Sequence, residues 1–331
     1  MRVLDSRDRI LVWGLSNNRA GTEAVISNYV HLIDDQKFDF LTFESPGNYG
    51  DLFSGQRENR YFVIRPKSIN PIRYYRDLNR FMSVHASEYK ALWFNTNHAA
   101  NLDLLRLAKR YGVPRRIVHS HNSKDPAEPL LKALCRMHSG DCIKLATELW
   151  ACSSVAGRYL FGEADFRLVP NIVDSDAFSY SVEKRADVRK SLQIGNSLVI
   201  GTVGGLVHQK NQVFLMDLLS VLLAEGTDCH LVIVGEGELR QALLGKAREM
   251  GLSSRVHLVG AQSDIQAYLS SFDIFAFPSH FEGLPVSLIE AQFNGVPCLC
   301  SDNITDEAII SRQVIRLPLG DLRQWVELAC S

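Results

Sequence analysis

No stretch of this 331-residue chain reaches the roughly 18 uncharged apolar residues that a bilayer-spanning helix needs, so no transmembrane segment is expected. The opening MRVLDSRDRILVWG also lacks the long apolar core and small-residue cleavage site of a secretory leader, since charge runs through its first nine positions. A cytoplasmic protein is the expectation. Paired cysteines are lacking too: the seven are an odd number and sit mostly among apolar neighbours, which argues for reduced core thiols and against a disulfide framework. Cys298 and Cys300 point alike in VPCLCS, but nothing at metal-ligand spacing accompanies them. There is no low-complexity tract, no short-period repeat, no recognised nucleic-acid-binding module and almost no net charge, the total being −1.

What is present is size and alternation. A chain of this length favours two domains over one. The near-zero total hides an asymmetry of about +6 up to Pro170 and −7 beyond it, so an anionic surface or acceptor would meet the first half. Short apolar runs alternate with amphipathic stretches throughout, the pattern of parallel sheets covered by helices. In the first half the strand candidates are ILVWG, FDFLTF, YFVIR, ALWFN, RRIVHS, ELWACS and FRLVP, with helical patterns beginning near Gly21, Pro71, Ala100, Glu128 and Ser154. A second cycle reads LVIGTVG, HLVIVG, VHLVG, DIFAFP and PCLCS. The expected class is α/β, with two Rossmann-like, doubly wound domains at 1–170 and 198–331 facing a cleft, and a polar linker and entry segment at 171–197.

The stretch DIFAFPSHFEGLPVSLIEAQFNGVPCLCSD carries the most chemistry. An apolar strand ends at Phe277, a turn contains Pro278, Ser279 and Gly283, and a helix is expected from Pro285, where proline costs no hydrogen bond. Loops at strand carboxyl ends are where open α/β sheets bind ligands. Backbone N–H groups at Leu284, Val286 and Ser287, together with the helix dipole, would suit a diphosphate. Glu282 in the turn and Glu290 on the helix would then flank it and accept hydrogen bonds from hydroxyls. Two isolated glutamates would more often be solvated surface residues, but Leu288, Ile289 and Ala291 around Glu290, and Gly-Leu-Pro after Glu282, are not a charged face.

The spacing from Glu282 to Glu290 and the EGLP context resemble the E-x7-E signature of the retaining family 4 glycosyltransferases of the two-domain GT-B fold, closest to capsular and exopolysaccharide enzymes. The resemblance is strong from Gly201 to Asp302 and looser before it. It implies that Glu282 contacts the donor sugar and Glu290 the ribose of its nucleotide. GTVGGLVHQKNQ is similar to the family's G-R-[LF]-x-x-x-K-N, with Gly204, Lys210 and Asn211 matching and Gly205 standing where an arginine is usual. Lys210 is thereby implied as the cation for the leaving diphosphate. The implied donor set is Gly204, Gly205, Lys210, Asn211, Glu282, Gly283, Leu284, Val286, Ser287 and Glu290. NNRAGTEAV resembles the family's G-G-x-E turn: Ala20 replaces its first glycine, while Gly21, Thr22 and Glu23 would form the acceptor or diphosphate loop. His119 and His121 fall on one face of RRIVHSHNSKD; His121 resembles the first-domain histidine that hydrogen-bonds the sugar, and a structural histidine is the even alternative.

The function expected on this resemblance is retaining, metal-independent transfer of a sugar from a nucleoside diphosphate sugar, on resemblance a UDP-sugar, to a polysaccharide or lipid-linked acceptor in cell-surface polysaccharide synthesis. No cofactor and no nucleic acid are involved. Alternatives are a nucleotide-sugar epimerase of the same architecture and a homologue that binds donor with weakened catalysis, the latter prompted by Gly205. A dehydrogenase is a weaker reading, because GEGELR supplies only Gly235 and Gly237 of the dinucleotide fingerprint. INPIRYYRDLNRFMSV sets Arg73, Arg76 and Arg80 among apolar residues at helical spacing, so the helix could lie on the inner membrane surface or simply carry a solvated basic face. Related enzymes close with a longer helix that returns to the first domain, whereas only DLRQWVELACS stands here, so a shortened closure is expected.

Overall fold

A computed structural model describes residues 7–15, 21–33, 35–43, 58–126 and 128–330. They form two compact units, Met1–Ile172 and Val173–Ser331. Ala20 of the expected glycine turn lies outside the described residues.

The first unit runs β1 (Arg9–Trp13), α1 (Gly21–Leu32), β2 (Lys37–Thr42), β3 (Arg60–Val63), α2 (Pro71–His85), β4 (Tyr89–Thr96), α3 (Asp103–Arg110), β5 (Arg115–Ser120), α4 (Pro129–Leu145), β6 (Glu148–Ala151), α5 (Ser154–Phe161) and β7 (Arg167–Leu168). The strands are parallel in the order β3-β2-β1-β4-β5-β6-β7. Helices start where local chemistry allows. Asn70 accepts the Arg73 N–H at 2.9 Å ahead of Pro71, and Ser153 accepts the Ala156 N–H at 3.2 Å. Tyr74, Leu78 and Met82 of α2 and Leu104, Leu105 and Ala108 of α3 bury against Leu11, Leu92 and Phe94 on one sheet face. Ile26 and Val30 of α1 cover Val12, Phe40 and Trp93 on the other.

The second unit adds α6 (Val182–Ser191), β8 (Leu198–Val203), α7 (Gln212–Ala224), β9 (Cys229–Val234), α8 (Arg240–Glu249), β10 (Val256–Gly260), α9 (Ile265–Ser271), β11 (Ile274–Phe277), α10 (Val286–Asn294), β12 (Cys298–Ser301), β13 (Val314–Leu317) and α11 (Leu322–Ala329). Its strands order as β10-β9-β8-β11-β12-β13, again parallel. In both sheets the chain builds outward from one central strand, then returns to its other side, at β1/β4 and at β8/β11. Such switch points leave a crevice at the strand carboxyl ends.

All twelve strand candidates are strands. β13 escaped the sequence reading because VIRL offers four residues with two of them exposed and Arg316 in its midst, so it has no apolar alternation to detect. The segment 171–197 divides near its start: α6 belongs to the second unit and packs on α9. Its basic residues hold it there. Arg185 donates to the carbonyls of Ser270 (3.1 Å) and Phe272 (3.0 Å), Arg189 donates to that of Ser271 (2.9 Å), and both pair with Asp273, which also accepts the Val199 N–H at 2.7 Å. The terminal DLRQWVELACS carries α11, whose Trp325 is fully buried against Phe214 of α7 and donates to the Pro318 carbonyl at 3.1 Å. Cys298 and Cys300 are buried and unbridged, and burial pushes the Cys300 thiol up to about 12. No helix among the described residues is long and apolar enough to cross a membrane.

Candidate functional site

Three loops at the carboxyl edge of the second sheet are stitched together. After β8, Gly204 N–H donates to the Val234 carbonyl and Leu206 N–H to that of Glu236, each at 2.9 Å, while Gly235 N–H donates to the Gly260 carbonyl at 2.9 Å. A Cβ on Gly235, at φ 142°, would stand 2.1 Å from the Gly204 oxygen, and one on Gly237 would stand 2.4 Å from the Leu206 oxygen. Loop-to-loop packing therefore accounts for both glycines of GEGELR, without a dinucleotide.

The loop after β11 joins the same edge. His280 N–H donates to the Gln209 carbonyl (2.9 Å), Gln209 Nε2 to the Phe281 carbonyl (2.8 Å) and Asn211 Nδ2 to the Pro278 carbonyl (3.2 Å). Asn211 adopts the left-handed conformation (φ 53°, ψ 43°) between a 3-10 turn at His208–Lys210 and α7, a role asparagine tolerates better than most residues. These contacts bring Lys210 to Glu282, Nζ to Oε1 at 2.7 Å, with Nζ also 4.8 Å from the centre of the Phe277 ring. Gly204 makes room for the lysine stem, which a Cβ would meet at 3.2 Å. Lys210 is thus held in place and paired with Glu282.

α10 begins at Val286, with Pro285 as its N-cap and Gly295 (φ 86°) ending it. Its first i→i−4 bond is Ile289 N–H to the Pro285 carbonyl at 3.3 Å, so Val286, Ser287 and Leu288 form the first turn, whose N–H groups have no intrahelical acceptor. Leu284 and Gly283 are buried ahead of that turn, and of the expected trio Val286 and Ser287 belong to it. Glu290 is on the buried side, 8 % exposed, and has no hydrogen-bond or ion-pair partner among the described residues. Desolvation pushes its carboxyl up to about 7. At Gly205 a Cβ would meet only the Glu236 carbonyl oxygen, at 3.8 Å, so the backbone leaves space for a side chain. Sequence reasoning missed Gln209, Phe277 and the buried hydroxyl of Ser279, which has no partner among the described residues. Their signal was adjacency to Lys210 and Glu282, visible only once the two loops meet.

The first unit presents Gly14, Asn95 and His121 at its own switch point. A Cβ on Gly14 (φ 115°) would lie 2.6 Å from the Asn95 carbonyl oxygen, and Asn95 Nδ2 donates to the Trp13 carbonyl at 3.1 Å. Asn95 Oδ1 meets His121 Nε2 at 2.8 Å, leaving Nδ1 of this ring buried with no partner among the described residues. Gly21, Thr22 and Glu23 open α1, with Glu23 buried in its first turn.

His119 and His121 lie with ring centroids 4.1 Å apart and their planes tilted by 45°. The indole N–H of Trp93 lies 3.3 Å from His119 Nδ1, and Nε2 lies 3.2 Å from the Val169 carbonyl, which fixes a neutral ring with its proton on Nε2. Burial lowers His119 to about 4, and burial together with His119 lowers His121 well below its ordinary value. An unfolded histidine titrates near 6.5, so the stability tied to neutral His119 is present above pH 6.5. It is lost as pH falls from there to about 4, some 3 kcal/mol in all. Thermal melts across that range should show a shallower acid decline in His119→Gln than in the parent chain; equal slopes would refute this origin.

A family model described as glycosyl transferases group 1 matches residues 183–313. A Bacillus subtilis (strain 168) protein named as a glycosyltransferase, EpsF, is 30 % identical over 97 % of this chain and 87 % of its own length. The capsular polysaccharide biosynthesis glycosyltransferase CapH of Staphylococcus aureus is 28 % identical over 60 % of this chain and 56 % of its own. Among solved structures, Anabaena HepE in complex with UDP and glucose superposes with a TM-score of 0.79 at 17 % identity, covering 98 % of this chain and 89 % of that one. At that identity the likeness speaks for the fold alone, that of the GT-B glycosyltransferases.

Proposed function

The chain belongs to the group 1 glycosyltransferases, and from that membership we propose that it transfers a sugar from a nucleoside diphosphate sugar, a UDP-sugar first, to a polysaccharide or lipid-linked acceptor, with retention at the anomeric carbon and without a metal ion. The observation that carries this reading is the convergence of Lys210, Glu282, Glu290 and the first turn of α10 on one sheet edge. In the proposed step the bond between the anomeric carbon and the diphosphate oxygen breaks while the acceptor hydroxyl bonds to that carbon on the same face. The hydroxyl proton passes to the departing diphosphate. The protein's task is orientation and charge stabilisation. Lys210 and the N–H groups of Val286 and Ser287 take the growing negative charge, Glu282 turns from the lysine to the sugar hydroxyls, and Glu290 accepts from the ribose. Gly204, Gly205 and Asn211 shape the loop that holds Lys210. His121, with one ring nitrogen unpartnered, hydrogen-bonds a sugar hydroxyl, and Gly21, Thr22 and Glu23 border the acceptor. The polysaccharide role is drawn from CapH and its like, and the UDP preference from the ligands of HepE. A cytoplasmic protein follows as part of the same reading.

Calorimetry and slow donor hydrolysis with UDP-, GDP- and ADP-sugars in chelator test it. One donor should bind and turn over. Glu290→Ala should abolish that binding, and Lys210→Ala should slow hydrolysis by about a hundredfold or more. Activity that vanishes in chelator and returns with a divalent ion, or conversion of the donor to an epimer without acceptor, would overturn it. A second reading, binding with little turnover, is favoured by Gly205 alone; there Gly205→Arg should tighten donor binding and raise hydrolysis together.

A further inference from the structure

The loops after β8 and β11 run side by side and meet rung by rung. Lys210 pairs with Glu282 at 2.7 Å, Gln209 Nε2 donates to the Phe281 carbonyl at 2.8 Å, and the rings of His208 and His280 stack with centroids 5.1 Å apart and planes 24° from parallel. Every rung joins residues 72 apart, and the His280 N–H holds the register by donating to the Gln209 carbonyl at 2.9 Å. Exposure rises along the ladder. The Glu282 and Lys210 side chains are 8 % and 20 % exposed, Gln209 and His280 are half-buried, and His208 is exposed. In the donor reading the Lys210–Glu282 rung has a task and the imidazole rung has none.

Charge on this edge suggests one. A nucleoside diphosphate sugar brings two negative charges, and the side chains nearby offer little to meet them. Lys210 faces Glu282, while Arg240, at the start of α8, is engaged by Glu236 at 3.1 Å and by the Leu258 carbonyl at 3.2 Å. Gly205 contributes no side chain, although a Cβ there would meet only the Glu236 carbonyl oxygen, at 3.8 Å. Lys210 therefore offsets half of the diphosphate's charge. The charged groups of the adjoining elements are Lys210 and Glu282 on the neighbouring rung, Glu236 and Glu238 on the loop after β9, and Arg240. Histidine is the side chain that changes charge near neutrality, so His208 and His280 are the groups of these loops able to gain a positive charge when an anion arrives. Two cationic rings this close repel, whereas a cationic and a neutral ring stack, so the pair suits a single proton.

We propose that His208 and His280 form a second cation for the donor diphosphate, taking up one proton from solvent as the nucleotide-sugar binds and filling the role of the side chain that Gly205 lacks. This role rests on the donor reading proposed above and adds two binding residues to it. No covalent bond changes, and the rings return the proton when the diphosphate leaves.

The test is calorimetric titration of the full chain with UDP-glucose, GDP-glucose and ADP-glucose in buffers of different ionisation enthalpy, which reports the protons exchanged per donor bound. The diphosphate diester of these probes has no proton of its own to exchange near neutrality. Glu290, raised to about 7, should shed proton on accepting from the ribose, so the signal is the difference between parent and variant. His208→Gln with His280→Gln should bind donor roughly tenfold or more weakly and take up about one proton fewer than the parent. The parent's affinity should also fall more steeply than the variant's as pH rises from about 6 to about 8, since the cationic rung is lost in that direction. Adding Gly205→Arg to the double variant should restore affinity without restoring proton uptake. His208→Gln alone, at an exposed position, should move both quantities the same way and guards against misfolding of the double variant. Equal proton uptake in parent and variants, weaker binding with unchanged uptake, or an arginine that restores nothing would overturn the inference while the donor reading stands. Absence of binding by the parent to any of the three probes would overturn both.

Discussion

Glu290→Gln is expected to make the second unit more stable at neutral pH while weakening its hold on a nucleotide-sugar. The carboxyl is buried on α10 without a partner among the described residues, and desolvation raises it to about 7, against 4.5 for the exposed group. A raised folded-state value means the folded form prefers the protonated acid. Its stability is intact below pH 4.5 and is eroded as pH climbs from there through about 7. Above that the parent chain carries a cost of up to about 3 kcal/mol that the isosteric amide does not. Melts of parent and variant should coincide near pH 4.5 and separate near pH 7.5, the variant melting several degrees higher. On the proposed donor reading, titrations should move the opposite way, because an amide would replace the carboxylate proposed to accept from the ribose hydroxyls. A variant that melts lower at pH 7.5, or separates equally at both pH values, would remove desolvation as the cause. Strain of this kind, maintained against stability, is characteristic of a binding site and unusual in a structural helix.

Asp39→Ala should cost the first unit about 3 to 5 kcal/mol, the usual penalty for stranding buried charge. Asp39 is fully buried in β2 and gathers Arg9 (Nε at 2.7 Å), Arg60 and the Tyr89 hydroxyl (2.9 Å) around one carboxylate. Arg60 reaches on to Glu88 at 2.7 Å, and Glu88 to His85 at 2.7 Å. The cluster ties together β1, β2, β3 and β4 away from the carboxyl edge. Alanine leaves Arg9, 7 % exposed, with an uncompensated charge. Hydrogen exchange should quicken across β1 to β4 while β8 to β12 keep their protection. Replacing Arg9 and Asp39 together by apolar residues should cost less than Asp39→Ala alone, since no charge is then left buried. Unchanged exchange in β1 to β4 would mean the cluster is dispensable.

The sequence by itself determined the class of fold, the strands that build it, the helix starts at Gly21, Pro71 and Ser154, and the two glutamates at their spacing. These are properties of periodicity, capping and turn chemistry, which act over a few residues and can be read in chain order. It did not determine who meets whom. That Lys210 would be paired with Glu282, 72 residues on, depends on β11 returning beside β8. That the aspartate within FDFLTF would be a charge hub depends on arginines and a tyrosine arriving from three other strands. The perturbed acid of Glu290, the fixed tautomer of His119 and the unpartnered nitrogen of His121 follow from burial, and burial is set by strand order and helix packing. Only the tertiary structure brings those distant groups within reach of one another, and only there does the exclusion of water give them their chemistry.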